Sequence, residues 1–173
     1  HVLISDEKHW NDLISIENLN PESISPYIET SMKIKEKVVL EDFKEQHIRK
    51  TLNFGHTIGH ALESLFLKSG KPIPHGEAVV LGMICETHLS FLNYLIPAET
   101  SETIINNLKR FYPYISISEF KNDEILSLMK NDKKNSAGNI NFSLLTGVGS
   151  CNFDFSVSEE QLLESLHFYH NLG

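Results

Sequence analysis

Apolar and polar positions along this chain recur mostly with a helical period, and the recurrences stop at proline and glycine. Between Asp6 and Pro21, the residues Trp10, Leu13 and Ile14 share one helical face, and Asp6 stands where an N-cap belongs. Pro21 and Pro26 then bracket a turn, with Ser23 and Ser25 as cap candidates. From Ile28 to Leu40 the positions Ile28, Met32, Ile34, Val38 and Val39 predict a helix facing the core, punctuated by Lys33, Lys35 and Lys37. Residues 41–50 form a charged connector in which Asp42 and Glu45 can cap or pair locally. Later segments repeat the helical pattern: one ending at Phe111, one opened by Ser118 with Phe120, Ile125, Leu126 and Met129 inward, and one capped by Ser158. Between the last two, INFSLL alternates like a strand, and Gly147 and Gly149 turn the chain into CNFDF, so a small two-stranded hairpin is expected.

The most informative stretch is Arg49 to Ala78. Leu52, Phe54, Ile58, Ala61, Leu62, Leu65 and Phe66 predict a buried helix that Arg49 enters at its first turn. Along one face of that helix runs a polar stripe: Asn53, then His56 and His60 four residues apart, then Glu63. Buried polar groups need partners, because leaving one unpaired costs about 1–3 kcal/mol. Ser69-Gly70-Lys71-Pro72-Ile73-Pro74 ends the helix, and His75-Gly76-Glu77 opens a second apolar helix running to about Tyr94. His75 therefore sits where it can turn back towards His56 and His60. Glu77, in the same first turn, suits the helix dipole and is a candidate to orient a histidine. Imidazoles from two helices suit a divalent metal, although the bland alternative is a pair of core histidines bonded to backbone carbonyls or to Glu63. A zinc protease is disfavoured, because the residue after the first histidine is Thr57 where that chemistry needs glutamate.

Composition narrows the partners. The chain has 173 residues, 40% of them hydrophobic, enough for one sizeable core. Fifteen basic against 23 acidic residues give a net charge of −8, which argues against nucleic acid and anionic membranes. The local exception is a possible basic pocket from Lys35, Arg49, Lys133 and Lys134. Cys85 and Cys151 lie in unrelated contexts, so a reduced, cytoplasmic setting is expected and a disulfide framework is not. No signal peptide or membrane-length apolar run is visible.

LNFGHTIGHALE followed by HGEAV resembles the signature of the 3-dehydroquinate synthase family, and the likeness extends from Lys35 and Asp42 upstream to Asp132-Lys133-Lys134 downstream. It implies a multi-helical, mainly α domain with a small β-hairpin, spanning 1–173 as a single metal- and substrate-binding unit. It implies His56 and His75 as ligands of zinc, cobalt or another divalent metal, with His60 in the substrate pocket. It further implies Lys35, Arg49 and Asn53 as substrate contacts, and a lysine of Lys133-Lys134 holding phosphate. The reaction implied is conversion of 3-deoxy-D-arabino-heptulosonate 7-phosphate to 3-dehydroquinate and phosphate, in the shikimate route to aromatic amino acids. The family's third metal ligand is a glutamate in a Glu-x-x-Lys motif, and this chain begins where the residues after that lysine belong. The glutamate and the NAD-binding α/β domain are thus expected outside the chain, which is expected to be inactive alone and part of a homodimer when whole. Three alternatives stand beside this: another sugar-phosphate cyclase, a metal-dependent polyol dehydrogenase, and a non-catalytic helical dimerisation module.

Overall fold

A computed structural model describes residues 1–130 and 140–173. The elements run α1 (Val2–Ser5), α2 (Glu7–Ile14), α3 (Pro21–Glu41), a 3₁₀ turn (Ile48–Asn53), α4 (His56–Lys68), α5 (His75–Leu92), α6 (Ala98–Phe111), α7 (Asn122–Lys130), β1 (Asn141–Gly147), β2 (Ser150–Ser156) and α8 (Glu159–His170). The domain is mainly helical, with β1 and β2 as an antiparallel hairpin, as the sequence pattern predicts.

The caps at Asp6 and Ser158 form as expected. Asp6 accepts from the His9 backbone N–H, and Ser158 makes a reciprocal capping box with Gln161. Two boundaries differ from the sequence pattern. The segment bracketed by Pro21 and Pro26 is no turn but the start of α3. Pro21 occupies the first helical position, where its missing N–H has no intrahelical role, and Asn20 with Ser23 closes a capping box in front of it. Ser118 caps nothing: it bonds the Ser116 hydroxyl, and α7 begins four residues later at Asn122.

Helix α5 is the axis of the fold. It packs against α4, α6, α8 and β1, and Ala78, Leu81, Cys85 and Leu89 are all but inaccessible to solvent. Its carbonyls accept hydroxyls both from α8 and from within α5 itself. The Ser165 hydroxyl of α8 donates to the Cys85 carbonyl (2.7 Å), and the Ser90 hydroxyl donates to the Glu86 carbonyl while accepting the Leu145 N–H of β1. By contrast α3 lies at the edge. The expected core-facing helix buries none of its side chains fully; Ile34, Val38 and Val39 are half-buried, while Ile28, Met32 and Leu40 are exposed.

The predicted central helix is split. Arg49 and Asn53 ride on the 3₁₀ turn, and α4 starts only at His56, after Gly55 in the left-handed region (φ 83°). The physical reason is the crossing of α4 over α5. A Cβ on Gly55 would lie 2.8 Å from the Val79 carbonyl, and one on Gly82 would lie 1.9 Å from the Gly55 carbonyl. Only glycines allow this approach, and the backbone must turn at Gly55 to make it.

Candidate metal and substrate site

The first two turns of α4 and the first residue of α5 bring three imidazoles together. Ligand atoms of His56, His60 and His75 all lie within 4.8 Å of one another. The spacing follows from local structure. His56 and His60 are one helical turn apart on α4, and the Pro72–Pro74 link returns the chain so that His75 opens α5 beside them. His56 and His60 are half-buried and His75 is exposed, so the cluster opens to solvent on one side.

Hydrogen bonds set the tautomers of the outer pair. The His56 Nδ1–H donates to the Phe54 carbonyl at 3.2 Å, and the His75 Nδ1–H donates to a Glu63 carboxylate oxygen at 3.1 Å. In the neutral tautomer each bond selects, Nε2 carries the lone pair that a metal takes. The backbone-bonded histidine of the bland alternative is thus also one prepared for ligation. The donor type fits a divalent ion such as zinc, which neutral imidazoles bind at about 2.0–2.1 Å. Glu63, not Glu77, orients a histidine; Glu77 faces the crevice that Val80, Lys109 and Tyr112 line.

Around Thr57, the residue after His56, lies a cleft of about 550 Å³, bounded by the 3₁₀ turn, α4 and the hairpin. Asn53 enters it, donating to Glu45 Oε1 at 3.0 Å, while the other oxygen of Glu45 stands 3.7 Å from Arg49 Nε. The Arg49 guanidinium also donates to the Phe43 carbonyl. Lys50 reaches across the cleft to Asp154 on β2 (2.6 Å). The connector that presents these groups is wound around Asp42, whose buried carboxylate accepts the N–H groups of Gln46, His47 and Arg49. Burial pushes that carboxyl up, but the three backbone donors outweigh it and hold the group below the ordinary carboxylate range.

The structure therefore gathers His56, His60 and His75 in one cluster and Arg49 with Asn53 around Glu45. Lys35 stands exposed on α3 and forms no ion pair among the described residues. Lys133 and Lys134 lie outside the described residues. The sequence pattern treated Glu45 only as a local partner and passed over Lys50, Asp154 and Glu86. Glu86 alone carried a signal, as a carboxylate inside the apolar run AVVLGMICETHLSFL.

Fold and site together define a mainly helical chain with a histidine cluster that could hold a metal and a polar cleft that shares α4 with it. Comparison with known proteins narrows the class. Residues 1–135 match the family model described as 3-dehydroquinate synthase C-terminal, and the chain belongs to that family. A 3-dehydroquinate synthase of Parabacteroides distasonis is 42% identical over 98% of this chain and 48% of its own length. One from Leptospira interrogans is 36% identical over 96% and 46% respectively. The chain thus spans about half the length of the curated relatives it matches. Among solved structures, 2-epi-5-epi-valiolone synthase from Streptomyces hygroscopicus, with NAD⁺ and Zn²⁺ bound, superposes with a TM-score of 0.82 at 16% identity, over 99% of this chain and 49% of its own. 2-Deoxy-scyllo-inosose synthase, complexed with carbaglucose-6-phosphate, NAD⁺ and Co²⁺, superposes with 0.75 at 24%, over 98% and 48%. These two share the fold.

Proposed function

We propose that this chain is the metal- and substrate-binding part of a 3-dehydroquinate synthase, which converts 3-deoxy-D-arabino-heptulosonate 7-phosphate to 3-dehydroquinate and phosphate. The observation that carries it is the convergence of His56, His60 and His75, from two separate segments of the family's motif, with Thr57 of the same helix lining a polar cleft. His56 and His75 hold a divalent ion, zinc or cobalt. Bound there, the ion would supply Lewis-acid polarisation of a substrate hydroxyl, and NAD, which the rest of the protein would hold, would supply the acceptance and return of hydride.

The chain's own groups bind and orient. Arg49, a planar fork of donors, takes the substrate carboxylate and gives up its loose contact with Glu45 to do so. Asn53 and His60, with a lysine of Lys133-Lys134, hold the phosphate and steady its charge as it leaves. Lys35 supplies a flexible ammonium to a substrate hydroxyl. Glu63 keeps the His75 ring turned towards the cluster. A second reading is favoured by the spacing itself: all three imidazoles ligate, and His60 is a metal ligand.

Calorimetric titration of the chain with zinc near neutral pH, beside a His75→Ala control, tests the proposal. One-to-one binding that the control loses is expected. Equal binding by both proteins would remove His75 from a metal site.

A further inference from the structure

The helix that carries two of the three histidines starts without a cap of its own. Its N-cap, Gly55, has no side chain, yet the first turn of any α-helix leaves backbone N–H groups without intrahelical acceptors. Here a different helix supplies them. Glu86, three turns into α5 and with no solvent exposure, turns its carboxylate onto α4: Oε2 accepts the Gly55 N–H at 2.6 Å and Oε1 accepts the Ile58 N–H at 3.3 Å. These are the N-cap and N3 positions, the two donors that a capping box normally satisfies with two side chains of its own helix. One carboxylate from outside does both, and its negative charge faces the positive end of the α4 dipole.

The placement bears directly on the imidazoles. His56 lies between the two anchored amides, and His60 stands one turn further along. Gly82, one turn before Glu86, leaves no room for a Cβ against the Gly55 carbonyl, so the carboxylate and the close crossing clamp the same turn from adjacent positions. Burying a carboxylate among apolar side chains is costly, and an aliphatic residue would fill the space more cheaply. We infer that Glu86 is a positioning residue of the histidine cluster: it fixes the turn from which His56 and His60 project, and so sets the cluster's affinity for a metal without touching the metal. The affinity clause rests on the function proposed above; the positioning itself does not.

Two measurements on the 173-residue chain decide it. The first needs no metal. In isotopically labelled wild-type protein, a scalar coupling across the hydrogen bond should link the Gly55 amide nitrogen to the Glu86 carboxylate carbon. In Glu86→Gln, amide exchange at Gly55 and Ile58 should rise at least about 10-fold while Leu65 and Phe66 keep their protection, and Glu86→Asp should fall between. No coupling in wild type, or a rise shared evenly along α4, would overturn the inference, and the wild-type coupling decides even if the glutamine variant fails to fold. The second is titration with Co²⁺ alone, followed by its visible absorption. Glu86→Gln should weaken binding about 10-fold or more, as loss of a ligand's supporting contacts does, and an unchanged Kd would overturn the affinity clause. Wild-type protein that binds no Co²⁺ would overturn the affinity clause for this chain, while the amide measurement would still decide on Glu86.

Discussion

Asp42 and His60 do their work one side chain at a time. Asp42 is the hub of the connector, and its stabilising effect depends on charge. Its carboxyl is held below the usual range in the folded chain, so the stabilisation is complete above the unfolded value of about 3.9 and is lost as pH falls through the lower folded value. Asp42→Asn should therefore melt lower than wild type at neutral pH, and the gap in Tm should close as pH drops below about 4. A gap independent of pH would mean that the three N–H bonds do not depend on charge. His60 poses the sharper question, since it belongs to the cluster by distance and is proposed for the substrate pocket on the family likeness. In the whole protein, His60→Ala should leave metal content intact and cut turnover by a factor of about 10² or more. Metal lost along with turnover would instead make His60 a ligand.

At the scale of elements, the site depends on α4 and α5 approaching closer than side chains permit. A methyl on Gly82 would sit 1.9 Å from the Gly55 carbonyl and 2.7 Å from the Gly59 nitrogen, both backbone atoms that cannot swing aside. Gly82→Ala should cost at least about 3 kcal/mol by denaturant unfolding and should also abolish zinc binding, because the displaced turn carries His56. Gly76→Ala is the matched control: its Cβ would meet nothing within 4 Å. The hairpin is joined to the same region. The Ser143 hydroxyl donates to the Lys50 carbonyl, and the Lys50 ammonium pairs with Asp154, whose positive φ (59°) marks an irregular stretch of β2. That ion pair is part-exposed and worth less than about 1 kcal/mol, so its effect is on the shape of the cleft more than on stability.

For the molecule as a whole, the proposed metal binding would be linked to folding, since the cluster exists only when α4 and α5 are packed. Zinc at 100 times its Kd should stabilise the chain by about 2.7 kcal/mol and raise its Tm by about 5–10 °C, and chelation should reverse the shift. His56→Ala should melt at the same temperature with or without zinc. The thiols take no part in this: both cysteines are free, burial pushes Cys151 up to about 12, and it pushes buried Cys85 higher still. No helix among the described residues is long and apolar enough to cross a membrane.

Taken alone, the sequence determined the helical character of the domain, the hairpin, the caps at Asp6 and Ser158, and the pairing of His56 with His60. All of these are local: periodicity, turn chemistry and side chains four residues apart are written within a few positions of one another. The motif around His56 and His75 also identified the family, because so many chemically particular residues at fixed spacing rarely coincide otherwise. Tertiary structure decided the rest. The break at Gly55 was invisible because its cause, the α5 backbone at Val79 and Gly82, lies more than 20 residues away. The same holds for Glu86, which reads as an oddity in an apolar helix until α4 is laid against it, and for Glu63, whose carboxylate meets His75 only once the proline link has turned the chain back. The outward stripe of α3 reads as core in one dimension, since an apolar period records which face is apolar and not whether another element covers it. What stays local along the chain is legible in sequence. What depends on two distant backbones meeting is decided only when they meet.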